Sequence, residues 1–160
     1  PCQRKALIQA GVAASFVYDL KTAALMHTAS TGNGARSLFS MPSPSPSNLV
    51  IAPGQQPLAE LIAGMQRGLL VESVLGLGQG NAISGAFSNS VGLAYLIERG
   101  EIGGRVKDVS IAGNISQDLQ HIAGVSRERY WVDGQLLMPW LLLPELNVVF
   151  QSSGAHQDND

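Results

Sequence analysis

The sequence predicts an α+β fold, a mainly antiparallel β-sheet of sandwich- or barrel-like form with about two α-helices. Three observations carry this expectation. Strand-like segments follow one another closely between residues 91 and 113. Only two longer stretches carry helical periodicity. The alternating βαβ rhythm of a doubly wound sheet is missing.

In chain order, VAASFVYD (12–19) mixes β-branched and aromatic residues and reads as a strand. LKTAALMH is weakly helical, and STGNGARS is a glycine and asparagine turn cluster. MPSPSPSN (41–48) is a stiff connector, because its prolines fix φ and hold the preceding residues extended. It is short and leads into the strand NLVIAP, so it reads as a loop within one domain. The spacing of Leu58, Leu61, Ile62 and Met65 predicts a helix from Gln55 to Gly68, with Pro57 in its first turn and Gly68 at its C′ position. LLVESVLG reads as the next strand.

Beyond the glycine run, VGLAYLIERGEIGGRVKDVSIAG reads as consecutive short strands. Val91, Leu93, Tyr95 and Ile97 alternate at period two, and Arg99-Gly100 fits a two-residue hairpin turn. A second helix is expected from Ser116 to about Val125, capped by Asn114 or Ser116, with Ile115, Leu119 and Ile122 inward. RYWV and LNVVFQ are the last strand candidates.

The 160 residues fit one domain over 1–151, with a polar tail, SSGAHQDND (152–160), expected to be disordered. A chain that opens on Pro1 and enters strand-like sequence almost at once is expected to be a piece of a longer protein. Ten basic and twelve acidic side chains leave a net charge of −2, which gives no electrostatic footprint for nucleic acid. No apolar run approaches the roughly 18 residues that span a bilayer. The single cysteine, Cys2, forms no internal disulfide and fits a reducing, cytoplasmic compartment.

The glycine run SVLGLGQGNAISGAFSNSV (73–91) invites a nucleotide-binding reading. A dinucleotide fingerprint needs three spaced glycines between a strand and a helix, so that helix N–H groups meet the pyrophosphate. Here Gly76, Gly78 and Gly80 are followed by Asn81 where the third glycine should fall, and then by strand-like sequence. His27, His121 and His156 are far apart and match no metal-ligand spacing. His121, three residues after Asp118, reads as a surface or half-buried histidine paired with a carboxylate. No Gly-x-Ser-x-Gly element supports a serine nucleophile. Glu98 and Glu101 flank the hairpin turn and read as solvated, and Arg105, Lys107 and Asp108 read as an exposed strand edge.

The order of motifs says more than any one of them. STGNGAR (30–36), SNLVIAPG (47–54), RGLLVESVLG (67–76) and SGAFSNSVGLAYLIERGEIGGRVKDVSIAGN (84–114) together resemble the C-terminal part of the TldD/PmbA family, the modulators of DNA gyrase. The resemblance runs over roughly residues 11–132 and implies a metallopeptidase or peptidase-like protein about three times as long. It implies zinc held by an upstream His-Glu-x-x-x-His helix and by a cysteine near the C-terminus. Neither is in this chain, so the resemblance leans to the PmbA (TldE-like) branch, and the chain is expected to hold no catalytic residue, no metal and no cofactor of its own. Zinc is expected only in a catalytic family partner or with upstream residues. The family also implies unfolded peptide substrates and a homo- or heterodimer with a TldD/PmbA-type subunit.

The positions expected to face such a peptide or partner are Gly76, Gly78, Gly80, Asn81, Ser84, Gly85, Phe87 and Ser88. The warrant is physical: glycine in a strand context marks close backbone approach, and an extended peptide binds a sheet through its main chain. A non-enzymatic interaction module is the competing expectation.

Overall fold

The computed structural model describes residues 3–76 and 84–150, which fall into two compact units. The first is Pro1–Val50 with Trp131–Leu137, and the second is Ile51–Tyr130 with Met138–Asp160. Cys2, His156 and the tail lie outside the described residues.

In the first unit, β1 (Ile8–Gln9) and β2 (Val12–Ala13) form a hairpin closed by Ala10-Gly11, both at positive φ. The strand expected over 12–19 stops at Ala13. Its end is claimed by other bonds: the Tyr18 N–H donates to Thr31 Oγ1 at 2.7 Å, and Asp19 caps α1 (Leu20–Leu25). Asp19 Oδ1 accepts from the Thr22 N–H at 2.7 Å while Thr22 Oγ1 accepts from the Asp19 N–H at 3.0 Å, a reciprocal capping box. Next come β3 (Gly34–Ala35) and β4 (Ser43–Pro44), an antiparallel pair whose second strand is supplied by the proline-rich connector. β5 (Leu49–Val50) pairs in parallel with Leu136 and Leu137.

The second unit opens with residues 54–56, where the Gly54 N–H donates to Ser126 O at 2.9 Å and the Arg127 N–H to Gln56 O at 2.7 Å. Helix α2 spans only Leu58–Ala63, shorter than the 55–68 expected. Gly64 closes it, Met65 turns out of it, and Gly68 lies inside a strand instead of at the C′ position. The Gly68 Cα lies against Met65, so that a Cβ there would stand 2.2 Å from Met65 Cε. With Pro57 unable to cap by side chain, the Glu128 carboxylate does so from a distant strand, accepting the Leu58 N–H at 2.8 Å.

β6 (Arg67–Val74), β7 (Ala86–Glu98), β8 (Glu101–Val106) and β9 (Val109–Asn114) follow. α3 (Ile115–Asp118) and a 3₁₀ turn over Leu119–His121 come next. β10 (Gly124–Val132), β11 (Leu136–Leu142) and β12 (Asn147–Phe150) complete the described chain. The sheet runs β12-β9-β7-β6, with β8 also on β7. Long β7 takes β9 on its first half and β8 on its second, with β6 pairing from Val91 onward. The β7–β8 turn is the expected one: Arg99 and Gly100 have φ of 52° and 80°, and Glu98 pairs with Glu101.

Ala94, Ile97, Val109 and Ile111 form the sheet's core with Leu61 and Ile62 of α2. Full burial of a valine, leucine or isoleucine side chain stabilises by roughly 1.5–3 kcal/mol. The second helix is shorter than expected, and Ile115, Leu119 and Ile122 are exposed rather than inward. Four α-helical residues and one 3₁₀ turn are too short to present a stripe. His121 does not pair with a carboxylate; its Nδ1 lies 2.9 Å from Gln117 O.

The protonation of the two capping carboxylates makes stability depend on pH. N–H donation, from Leu58 to Glu128 and from Thr22 to Asp19, holds each carboxyl below its ordinary range. A lowered folded value means that the contribution is complete above the ordinary carboxylate range and is lost as pH falls through the lowered value. Glu128→Gln is therefore expected to reduce the urea midpoint at pH 7, with the gap to the parent closing as the pH falls below the ordinary carboxylate range.

Candidate partner-facing border of the sheet

Sequence places the glycine run between β6 and β7. Gly78, Gly80 and Asn81 lie outside the described residues, whereas Gly76, Ser84, Gly85, Phe87 and Ser88 fall on either side of the segment 77–83. Gly76 and Gly85 have φ of 73° and 71°, the left-handed region that L side chains rarely adopt, so both ends of the segment turn on glycine.

An asparagine fastens each end. Asn89 Nδ2 donates to Leu75 O at 2.9 Å and to Gly76 O at 3.0 Å, holding the exit from β6. Asn114 Nδ2 donates to Ser84 O at 2.8 Å, holding the entry to β7. The Asn114 Oδ1 accepts the N–H groups of Ser116 at 3.0 Å and Gln117 at 3.4 Å, so the same side chain caps α3. Gly85 is pressed into this junction: a Cβ there would lie 3.1 Å from Asn114 Oδ1 and 3.2 Å from Ser116 Oγ. Asn114→Ala is expected to cost about 1 kcal/mol for the cap. Faster amide exchange at Ser116 and Gln117 would accompany it.

The first half of β7 sorts its side chains by period two. Ala86, Ser88 and Ser90 are exposed, and Phe87 and Asn89 are half-buried. Ser88 is opposite Ala112, which is opposite Asn147; Ser90 is opposite Ser110, which is opposite Val149. On β7 and β9 this face carries the small side chains of Ala86, Ser88, Ser90, Ser110 and Ala112 next to the asparagine-held ends, and β12 adds Asn147 and Val149 to it. Phe87 lies on the other face, where a Cβ on Gly113 would stand 3.0 Å from its ring and 2.3 Å from Asp118 Oδ2. Of the sequence-expected residues, Ser84 and Ser88 are exposed, and Gly85 and Phe87 are half-buried. Asn89 escaped the sequence reading, since the carbonyls it holds lie 14 and 13 residues away along the chain.

Among the described residues no group of three or more His, Cys, Asp or Glu side chains could hold a metal ion. Nor is any helix of the described residues long and apolar enough to cross a membrane.

Residues 1–149 match the family model of the PmbA/TldA metallopeptidase C-terminal domain. The chain belongs to this family. Among curated proteins of the PmbA/TldA family, the chain is 34% identical over 127 residues to the metalloprotease TldD homolog of Haemophilus influenzae, covering 79% of this chain and 26% of that protein. It is 32% identical over 129 residues to the corresponding Buchnera aphidicola homolog, covering 80% and 26%. Among solved structures, TldE from Thermococcus kodakarensis superposes with a TM-score of 0.80 at 32% identity, covering 88% of this chain and 32% of that one. A Thermotoga maritima protein designated a modulator of DNA gyrase superposes with a TM-score of 0.79 at 33% identity, covering 93% and 33%. The chain spans about a quarter of those curated relatives and about a third of the solved ones.

Proposed function

We propose that this chain is the non-catalytic C-terminal part of a PmbA/TldA-family system that processes or degrades unfolded peptides in the cytoplasm. In this reading it serves as scaffold and substrate border within a dimer of family subunits, and zinc belongs to residues outside the chain. One observation carries the reading: the small, exposed side chains of Ala86, Ser88 and Ser90 on β7 adjoin a glycine-rich segment whose two ends are fixed by Asn89 and Asn114. Strand addition needs a sheet edge, and among the described residues 86–89 of β7 pair only with β9; glycine at both ends of the adjoining segment suits close approach of a main chain there. The metalloprotease designation of the Haemophilus and Buchnera relatives supports the reaction class.

A second reading is a purely non-enzymatic interaction module that binds a family subunit. Hydrogen exchange with and without an unfolded peptide separates the two. Protection gained over 84–90 supports the peptide border, and protection gained only on adding a family subunit supports the interaction module.

A further inference from the structure

We propose that Asn33 is a site of spontaneous covalent modification. Its side-chain amide is attacked by the Gly34 main-chain nitrogen, with the Lys5 ammonium assisting, and is converted through a succinimide to aspartate and isoaspartate. This goes beyond the peptide reading and is independent of it.

Asn33 is the one asparagine in the sequence followed by glycine; Asn48, Asn81, Asn89, Asn114, Asn147 and Asn159 all precede residues whose Cβ obstructs ring closure. In the first unit the Ser45 N–H donates to Asn33 O at 2.8 Å, and Gly34 stands opposite Pro44, which has no N–H. Gly34 therefore belongs to a non-hydrogen-bonded pair of β3 and β4. Its N–H points away from β4, on a residue exposed to water. Lys5 Nζ, held by Thr31 O, donates to Asn33 Oδ1 at 3.2 Å. Asn33 Nδ2 holds no carbonyl among the described residues, whereas the side-chain nitrogens of Asn89 and Asn114 are both tied down as donors.

The chemistry follows from these contacts. Hydroxide takes the Gly34 amide proton, and the nitrogen attacks Asn33 Cγ. Negative charge develops on Asn33 Oδ1 in the tetrahedral intermediate, where the Lys5 ammonium stabilises it. The Cγ–Nδ2 bond then breaks, the nitrogen takes up a proton and leaves as ammonia, and a succinimide ring remains. Water opens the ring at Cγ to give aspartate, or at the main-chain carbonyl to give isoaspartate; nothing is oxidised or reduced. The aspartate product faces Lys5 as an ion pair. Isoaspartate instead routes the main chain through Cγ, adding a methylene beside β3, and turns the carbonyl that held the Ser45 N–H into a branch carboxylate.

Peptide mapping by mass spectrometry, after incubation of the folded protein at mildly alkaline pH, tests this. The peptide holding Asn33 is expected to gain about 1 Da, as two chromatographically separate products, about tenfold or more faster than peptides holding Asn48 or Asn147. Asn33→Gln is expected to abolish the gain at this position, and Gly34→Ala to slow it about tenfold. Lys5→Met and Lys5→Gln are each expected to slow it about tenfold, whereas Lys5→Arg, which keeps a cation, retains most of the rate. Thermal melting accompanies each variant, so that a rate is compared only between folded proteins. Asn33 reacting no faster than Asn48 and Asn147 would overturn the proposal, as would a gain that persists in Asn33→Gln. A rate unchanged or raised in the folded Lys5→Met or Lys5→Gln variant would overturn the lysine as the assisting group.

Discussion

Gly54→Ala is expected to destabilise the second unit by about 3 kcal/mol, a loss read as a lower urea midpoint at unchanged slope. A Cβ at this position would stand 1.9 Å from Val125 O and 2.7 Å from Val125 C. The obstruction is backbone, so no rotamer change relieves it. Relief requires separating residues 54–56 from β10, which breaks the Gly54 N–H to Ser126 O and Arg127 N–H to Gln56 O bonds. The same region seats the Glu128 carboxylate over the start of α2, so the helix loosens with it. Gly104→Ala is the matching control. Nothing lies within 4 Å of a Cβ there and its φ is not positive, so alanine is expected to be neutral or stabilising by about 0.5 kcal/mol.

Gly100→Ala is expected to cost a similar amount, again about 3 kcal/mol, for two separate reasons. Its φ of 80° serves the second position of the β7–β8 turn, where an L side chain is strained. Its Cα also rests on the end of α2, where a Cβ would meet Ala63 O at 2.7 Å and Ala63 Cα at 2.9 Å. The turn is tied there by the Arg99 N–H to Gln66 O and the Gly100 N–H to Met65 O, both 2.8 Å. The substitution therefore detaches the hairpin from the helix as well as straining it. Unfolding followed at equal slope would read the loss directly. A shift under 1 kcal/mol would mean that the turn relaxes without pulling on α2.

The parts of the fold legible in the sequence were those decided by local chemistry. Alternation from Val91 to Ile97, a two-residue turn ending in glycine and an asparagine cap are local signals, and β7, β8 and the Asn114 cap correspond to them. The lengths of the helices were not legible, because distant contacts end them. The stripe of Leu58, Leu61, Ile62 and Met65 continues in the sequence past Gly64, but the main chain of Met65 and Gln66 is taken by the β7–β8 turn. β11 escaped notice although Asp133-Gly134, with φ of 49° and 66°, is a strong hairpin signal. Pro139 in the middle of LLMPWLL argues against a strand. The structure meets that objection with Ser126, whose Oγ accepts the Trp140 N–H at 2.8 Å and donates to Glu128 O at 2.8 Å, side chain replacing ladder.

The candidate site was legible only in outline. Density of glycine and serine marked its neighbourhood, but not the two asparagines that hold it, because Asn89 is 13 residues from the Gly76 carbonyl it holds and Asn114 is 30 from that of Ser84. Such bonds follow from sheet register: residues 86–90 pair with 110–114, and that pairing brings Asn114 to the entry of β7.

The central claim, that this border of the sheet receives an extended peptide, is tested most directly by hydrogen exchange on the protein with an unfolded peptide bound. Slower exchange confined to the amides of 84–90 and the neighbouring end of β9 is the predicted result. Unchanged exchange across those residues, with the peptide demonstrably bound, would contradict it.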